Sequence, residues 1–259
     1  RRCSLSSTTS DVSSGAFSAG LSAQATKGRA RWERRQQPGW SGLRQNPHGL
    51  RNYHQDRSPP SKDSTMAQLR VWHRLSALLI GVFLLTHMAN HLAGLAGQDV
   101  HVRFMHAVRT IYRVPLAESI LILALLWQIS SGLVLLRRRL AVMDGPVARL
   151  QVATGAYLAF FLVVHVGAVL AGRYQGLDTD FRFAAAGFHV PYWPAFFAPY
   201  YALAVMALFT HVGCAVYWHS EWLPRYRNWL FVMFAAVGAV AGVAIVLAMA
   251  GALYDVDIP

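Results

Sequence analysis

The chain has 259 residues, of which 54% are hydrophobic and only 14% charged, and its formal net charge is +12. Soluble domains carry about 25% charged residues, so this composition, with its apolar residues in long blocks, favours a membrane protein over a soluble one. The positive charge does not indicate a nucleic-acid-binding protein, because more than half of the excess lies in residues 1–65 and the rest flanks the apolar blocks. Two cysteines, Cys3 and Cys214, give neither a disulfide framework nor a metal motif.

Residues 1–65 are rich in Ser, Arg, Gln and Gly and contain few apolar runs, a pattern typical of disorder. The first methionine of the chain is Met66. Two explanations fit: the segment is an upstream extension with Met66 as the true start, or it is an Arg- and Ser-rich transit peptide. We favour the first, and we expect residues 66–259 to form the folded domain.

Five apolar blocks follow, each near the ~20 residues that a helix needs to cross a bilayer. They lie at about 75–97, 116–136, 151–172, 197–218 and 229–253. We therefore expect an all-α membrane protein built as a bundle of five transmembrane helices.

Lysine and arginine in the short flanks predict the orientation. The flanks before the first span, between the second and third, and between the fourth and fifth hold more of them than the flanks on the other side, which also carry acidic residues. The N-terminus is predicted inside and the C-terminus outside. The expected location is the bacterial cytoplasmic membrane, with the mitochondrial inner membrane as the alternative.

Histidines inside these spans are costly in hydrocarbon and are functional candidates for that reason. At a rise of ~1.5 Å per residue, His87 on the first span and His165 on the third both lie roughly 18–21 Å from the inner face. His211, on the fourth span, lies in the inner half, and Gln128 is the residue of the second span nearest its level. Two imidazoles at one depth on different helices suit axial ligation of one haem iron.

The alternative is that these histidines only hydrogen-bond between helices. His91, one turn further out than His87 on the same face, is an alternative ligand, a partner of a haem propionate, or an interfacial residue. The remaining histidines near interfaces and in loops are expected to be mostly solvated. They are His73, His101, His106, His189 and His219.

The spans resemble the five-helix, di-haem membrane anchor of succinate:quinone oxidoreductases, the cytochrome b of succinate dehydrogenase and fumarate reductase. The resemblance covers roughly residues 70–253. It depends on "WHRLSALLIGVFLLTHMANHLAG", "LAESILILALLWQISSGLVL", "QVATGAYLAFFLVVHV" and "YYALAVMALFTHVGCAVYW". It implies that the first and third helices ligate an outer haem, and the second and fourth an inner haem.

Carried onto this chain, the four ligand positions are His87, Gln128, His165 and His211. Glutamine is a poor haem ligand, so this chain departs from the pattern at the inner site. His211 then holds a five-coordinate haem, or binds a quinone or hydrogen-bonds Gln128 without haem, or pairs with another residue. We expect one firmly bound haem b on His87 and His165.

Polar residues near the outer side supply further candidates. The segment 98–114, expected to be a basic loop, holds possible partners of the haem propionates, Arg103, Arg109, Arg113 and His106, or is an ordinary solvated loop. Glu118 follows Pro115 and suits a helix first turn. The resemblance implies that an acid in this region exchanges protons with quinol. The long aromatic loop 173–196 either caps the outer site or lies in the interface.

The chain has no dinucleotide fingerprint and no cysteine cluster for iron–sulfur, so no catalytic residue is assigned. Succinate or fumarate chemistry would belong to flavoprotein and iron–sulfur partner subunits docked on the inner face, for which "RRRLAVMDGPVARL" is a candidate surface. The expected function is electron transfer between those partners and membrane quinone. Two alternatives remain: a stand-alone membrane haem protein linked to quinol, and a haem-free transporter or structural protein.

Overall fold

A computed structural model describes residues 62–258, which form seven α-helices and two short 3₁₀ turns and contain no β-strand. The helices are α1 (Lys62–Ala93), α2 (Gln98–Tyr112), α3 (Pro115–Leu140), α4 (Gly145–Tyr174), α5 (Phe181–Ala185), α6 (Pro194–His219) and α7 (Arg227–Met249). The 3₁₀ turns are Gly94–Ala96 and Ala186–Phe188. The expected N-terminal extension 1–65 lies outside the described residues, apart from residues 62–65 at the start of α1.

Five of these helices, α1, α3, α4, α6 and α7, are long and apolar enough to cross a membrane. The prediction of five spans is confirmed in number and order. Their ends differ from the expected ones most clearly in α1, which begins at Lys62 rather than near residue 75. Residues 62–80 contain neither glycine nor proline, and Asp63 lies in the first turn, where the helix dipole favours a carboxylate.

The spans pack mainly against their neighbours along the chain. The pairings α1–α3, α3–α4, α4–α6 and α6–α7 are all extensive, and α7 also touches α1. Within residues 62–258, α1 and α4 have almost no direct backbone contact, although both pack on α3. Side chains that meet between α1 and α4 therefore do so across the bundle.

The closest helix pair is α6–α7, and two glycines of α7 permit it. A Cβ added at Gly238 would lie 2.6 Å from Cβ of Phe209, and one added at Gly242 would lie 2.8 Å from the carbonyl oxygen of Ala202. Small residues four apart let transmembrane helices approach closely. This pair forms the tightest part of the bundle.

One end of the bundle, called the cap end here, carries α2, α5 and the C-terminal residues 252–258. Gln98 exchanges two hydrogen bonds with the backbone of Asp257, at 3.0 and 3.4 Å, and the Tyr254 hydroxyl donates to the Gly94 carbonyl oxygen. Beneath them lies a core of six buried residues. They are Phe181, Ala185, Phe188, Val205, Ile245 and Met249. The opposite end, called the arginine end, carries the connections 141–144 and 220–226.

The segment expected to be a loop at 98–114 is instead the helix α2 over most of its length. His101, Met105 and Arg109 are its buried residues and recur every four positions, so they lie on one face. The segment 173–196 likewise contains α5, whose N-terminus is capped by the Asp180 carboxylate accepting from the backbone N–H groups of Arg182 and Phe183. Both segments cover the cap end.

Candidate cofactor site

The rings of His87 on α1 and His165 on α4 face each other across the bundle. Their centroids are 6.1 Å apart and their planes are inclined at 65°. The sequence placed them at one depth on different helices, and the structure brings them together although their helices are not neighbours.

This separation fits a shared iron. An imidazole nitrogen lies about 2 Å from a metal that it ligates and about 1 Å from its own ring centre, so two rings on opposite sides of one iron have centroids about 6 Å apart. The small cavity that His87 lines with Phe83 and Tyr112 measures only about 10 Å³. A macrocycle would enter only if the side chains around the ring pair rearranged, whereas the two imidazoles already stand at the spacing that a shared iron needs.

Each of the two histidines is supported by a phenylalanine one turn earlier on its own helix. Phe83 stacks on His87 with centroids 5.4 Å apart and planes inclined at 19°, and Phe161 stacks on His165 at 5.0 Å and 13°. Stacked rings limit the rotation of the imidazoles and exclude lipid from one face of each. Both ring orientations are thereby constrained before any ligand binds.

A cluster of polar side chains continues from His87 towards the cap end. His91 packs edge-on against His87, with centroids 4.6 Å apart, and lies 5.5 Å from His101. The Asn90 amide nitrogen lies 3.0 Å from Nε2 of His101. Asn90 Oδ1, His91 Nδ1 and His101 Nδ1 are buried and have no hydrogen-bond partner within residues 62–258. Buried polar atoms of this kind are costly unless a ligand or water meets them.

His101 corrects the expectation that the histidines outside the spans are mostly solvated, because only 3% of its surface is exposed. Burial lowers the pKa of its imidazole to about 4; the Asp180 carboxylate opposes this change and the Arg109 guanidinium reinforces it. His101 is therefore neutral at physiological pH. It joins α2 to the cluster on α1.

Two of the four expected propionate partners point into the cap end. Arg109 is buried and donates to Oδ1 of Asp178 and to the carbonyl oxygen of Thr179, both at 2.7 Å. Its Nε has no hydrogen-bond partner among the residues that the structure describes. Arg113 donates to the Thr179 hydroxyl at 2.8 Å. Arg103 and His106 are exposed on the outer face of α2. Arg109 and Arg113 thus order the loop after α4.

Gln128, where the resemblance expected a ligand, faces α1. Its side-chain oxygen accepts from the Ser76 hydroxyl at 2.5 Å, and its amide nitrogen lies 3.1 Å from Nε2 of His73. His73 Nδ1 lies 2.8 Å from the Ser131 hydroxyl oxygen, so both ring nitrogens of His73 have partners on α3. His73 is a contact residue that the sequence reasoning missed.

His211 lies on α6 against α4 rather than against Gln128. Its Nδ1 is 3.1 Å from the hydroxyl oxygen of Thr154. Its Cε1 faces Gly155, where an added Cβ would lie 3.1 Å from it. The hydrogen bond between His211 and Gln128 that the sequence left open is absent from the described part of the chain.

Glu118 on α3 pairs with Arg173 on α4 through both carboxylate oxygens, one of them at 3.2 Å. The pair lines an open cleft of about 600 Å³, together with polar Arg113 and Ser119 and apolar Ile122 and Leu170. A cleft with apolar walls and a charged end suits an amphipathic ligand. The sequence singled out Glu118 but not Arg173.

Residues 62–258 contain no group of three or more His, Cys, Asp or Glu side chains arranged to hold a bare metal ion. Two-histidine ligation of a haem iron would be a different arrangement, for which the facing rings of His87 and His165 are the candidate. Comparison of the chain with protein-family models, with curated proteins and with solved structures returned no match.

Proposed function

We propose that this protein is the membrane-anchoring cytochrome b subunit of a succinate:quinone oxidoreductase, with haem b held by His87 and His165. The observation that carries this proposal is the ring pair at 6.1 Å, formed by two helices that scarcely touch each other. Polar contact between helices alone needs no such spacing. The resemblance of the spans to this family supplies the partners and the quinone.

Bound haem supplies reversible one-electron chemistry. The residues of this chain would hold the haem and orient its axial ligands. His87 and His165 present the axial nitrogens, and Phe83 and Phe161 fix the planes of their rings. The apolar spans keep water from the site, which affects the potential of any iron bound there.

The cap end supplies donors for the carboxylates of the macrocycle. Within the described residues, Arg109 Nε is buried without a hydrogen-bond partner, as are Nδ1 of His91 and Nδ1 of His101. Charge-assisted hydrogen bonds from such groups are stronger than neutral ones. Arg113, directly after the last residue of α2, is the second cationic candidate.

The Glu118 cleft is the proposed quinone site. Ile122 and Leu170 supply apolar walls for the ring and tail, and Glu118, held by Arg173, supplies a carboxylate for proton exchange with quinol. The cleft lies at the cap end of α3 and α4. Electrons would therefore pass along the bundle between this end and the partner subunits.

The arginine end is the proposed docking face for the flavoprotein and iron–sulfur subunits. Arg137, Arg138 and Arg139 occupy the last turn of α3 there. The excess of positive charge also predicts that this end faces the cytoplasm. The membrane is proposed to be the bacterial inner membrane, with the mitochondrial inner membrane as the alternative.

The test is a reduced-minus-oxidised spectrum of the purified full chain, with haem quantified per polypeptide. His87→Ala and His165→Ala should each abolish the low-spin b haem spectrum of this site, whereas His106→Ala, an exposed histidine on α2, should leave it unchanged. An unaltered spectrum in both axial variants, or no haem in protein made with adequate haem supply, would overturn the proposal. The second result would favour histidines acting only as polar contacts between helices.

Purification from native membranes tests the partners. Flavoprotein and iron–sulfur subunits should copurify with the chain in equal amounts. A haem-loaded chain that is always recovered alone would instead indicate a stand-alone cytochrome.

A further inference from the structure

We propose that Arg139 and Trp218, at the arginine end of the bundle, form a binding site for the phosphodiester of an anionic phospholipid. The inference does not rest on the proposed function as a cytochrome. It depends only on the membrane spans and on the contacts of one arginine. It also separates Arg139 from its neighbours Arg137 and Arg138, which are left for the docking of partner subunits.

Arg139 bridges two helices that do not pack directly on each other. It lies in the last turn of α3, and its guanidinium carbon is 5.3 Å from the ring centre of Trp218 on α6. Within residues 62–258, α3 and α6 scarcely touch, and both pack on α4. The contact between the guanidinium and the indole is therefore made by the two side chains rather than by close helix packing.

The indole is itself held in place. Trp218 donates from Nε1 to the side-chain oxygen of Gln151 on α4 at 3.1 Å. Tyr217 packs edge-on against it with ring centroids 5.2 Å apart, and the Arg227 guanidinium carbon lies 4.3 Å from the Tyr217 ring centre. Arg227, the first residue of α7, also donates to the Tyr217 hydroxyl at 2.6 Å. Three helices thus support the ring on which Arg139 lies.

The charge of Arg139 has no counterion in the described part of the chain, where the ion pairs involve other arginines. Its Nε is buried without a hydrogen-bond partner, so the guanidinium is partly removed from water. Its terminal nitrogens are not buried, and they make no hydrogen bond within the same residues. A partly desolvated charge is stabilised strongly by an anion that approaches it, because the local dielectric is lower than that of water.

The exposed edge of this guanidinium suits a phosphodiester. A guanidinium that stacks on an aromatic ring keeps its in-plane N–H groups free, and these groups match two oxygens of a phosphate. The aromatic contact also holds the plane of the guanidinium before the anion arrives. Less side-chain entropy is therefore lost for each hydrogen bond that forms.

The position of the site favours a lipid as the source of the phosphate. Arg139 and Trp218 lie at the ends of two spans, where lipid headgroups meet the hydrocarbon. Leu140, next to Arg139, and Leu150, next to Gln151, are exposed and offer apolar contact to acyl chains. The excess of positive charge predicts that this end faces the cytoplasm, and the cytoplasmic leaflet is the one that carries anionic lipids.

The experiment is native mass spectrometry of the purified full chain, stripped of lipid in detergent and then mixed with phosphatidylglycerol or phosphatidylcholine. The natural chain should retain one phosphatidylglycerol in preference to phosphatidylcholine. Arg139→Gln should weaken this retention by at least about tenfold, since hydrogen bonds to charged groups are among the strong ones. Arg138→Gln removes the same charge from an exposed arginine of the same turn. It is the matched control and should retain the lipid as the natural chain does.

Two further variants test the stacked guanidinium itself. Arg139→Lys keeps the charge but loses the planar fork, and Trp218→Leu removes the aromatic surface. Both should retain less phosphatidylglycerol than the natural chain. Each variant is first required to elute as a single species in size-exclusion chromatography, and Arg139→Lys keeps the test valid if Arg139→Gln aggregates.

Equal losses in Arg139→Gln and Arg138→Gln would mean that diffuse positive charge attracts the lipid, and they would overturn the inference. Retention in Arg139→Lys equal to that of the natural chain, or equal retention of the two lipids, would overturn it as well. Displacement of the lipid by inorganic phosphate would indicate a site for free anions instead.

The other candidate occupant of this surface is a partner protein. Unchanged lipid retention in Arg139→Gln, together with loss of the copurifying soluble subunits, would assign Arg139 to the docking face and overturn the lipid site. None of these results depends on the haem of His87 and His165, so the two proposals fail separately.

Discussion

At the scale of single residues, His101 makes the cap end sensitive to acid. Its folded pKa of about 4 lies below the ordinary value of 6.5, so the opened state binds more protons between these values. The contribution of the neutral ring to cap stability is complete above about pH 6.5 and is lost as the pH falls towards 4.

The measurement is amide hydrogen exchange of α2 at pH 7 and pH 5, corrected for the intrinsic rate. Opening of α2 should increase at pH 5, by at most about tenfold per pH unit for one group. His101→Phe, which keeps an aromatic ring and cannot titrate, should remove the increase. An increase of equal size in that variant would assign the acid sensitivity to another group.

Glu118 gives a second prediction at this scale. Glu118→Gln should lower quinol turnover by at least tenfold, since positioned acids and bases contribute about 10²–10⁴-fold to proton transfer. Haem content and thermal stability should change little, because a partly exposed ion pair contributes about 0–1 kcal/mol.

Arg173→Gln is the matched variant. It leaves the carboxylate in place and should lower turnover less than Glu118→Gln does. Equal losses of turnover in the two variants would mean that the Glu118–Arg173 pair acts as a structural link between α3 and α4 rather than in proton exchange.

At the scale of helices, the α6–α7 contact depends on backbone approach. Gly242→Ala would place a methyl group 2.8 Å from the carbonyl oxygen of Ala202, a backbone atom that cannot move alone. The variant should unfold at a lower temperature in mild detergent, with a loss of about 1–3 kcal/mol expected for overpacking.

Gly81→Ala is the control for this change. An added Cβ there meets nothing within 4 Å, and alanine favours a helix over glycine by about 1 kcal/mol. Gly81→Ala should therefore be neutral or stabilising. The opposite order of the two variants would contradict the tight α6–α7 contact.

The five spans were predictable because hydrophobic length alone determines them. The cap end was not, because α2 is polar overall and its buried face becomes evident only where it packs against α1 and α5. His73 was missed for a related reason: the apolar block was taken to begin near residue 75, which left His73 outside the span. The interval of 14 residues between His73 and His87 was the sequence signal that His73, like His87, faces the interior of the bundle.

At the scale of the whole molecule, the charge distribution predicts one orientation. In cells, His106→Cys on the exposed face of α2 should react with a membrane-impermeant maleimide from the outside. Ala141→Cys, at the arginine end, should react only after the membrane is permeabilised. Of the two native cysteines, Cys214 is buried, and Cys3 should be replaced in both variants. Reversed labelling would contradict the predicted topology.

The sparse contact between α1 and α4 has a consequence for biogenesis. If one haem is ligated by both His87 and His165, it links directly two helices that are otherwise connected mainly through α3. A newly inserted polypeptide without porphyrin would have a less tightly packed helix bundle and would be degraded by membrane proteases. Its steady-state abundance would then follow the porphyrin supply of the cell, even when its messenger RNA is constant.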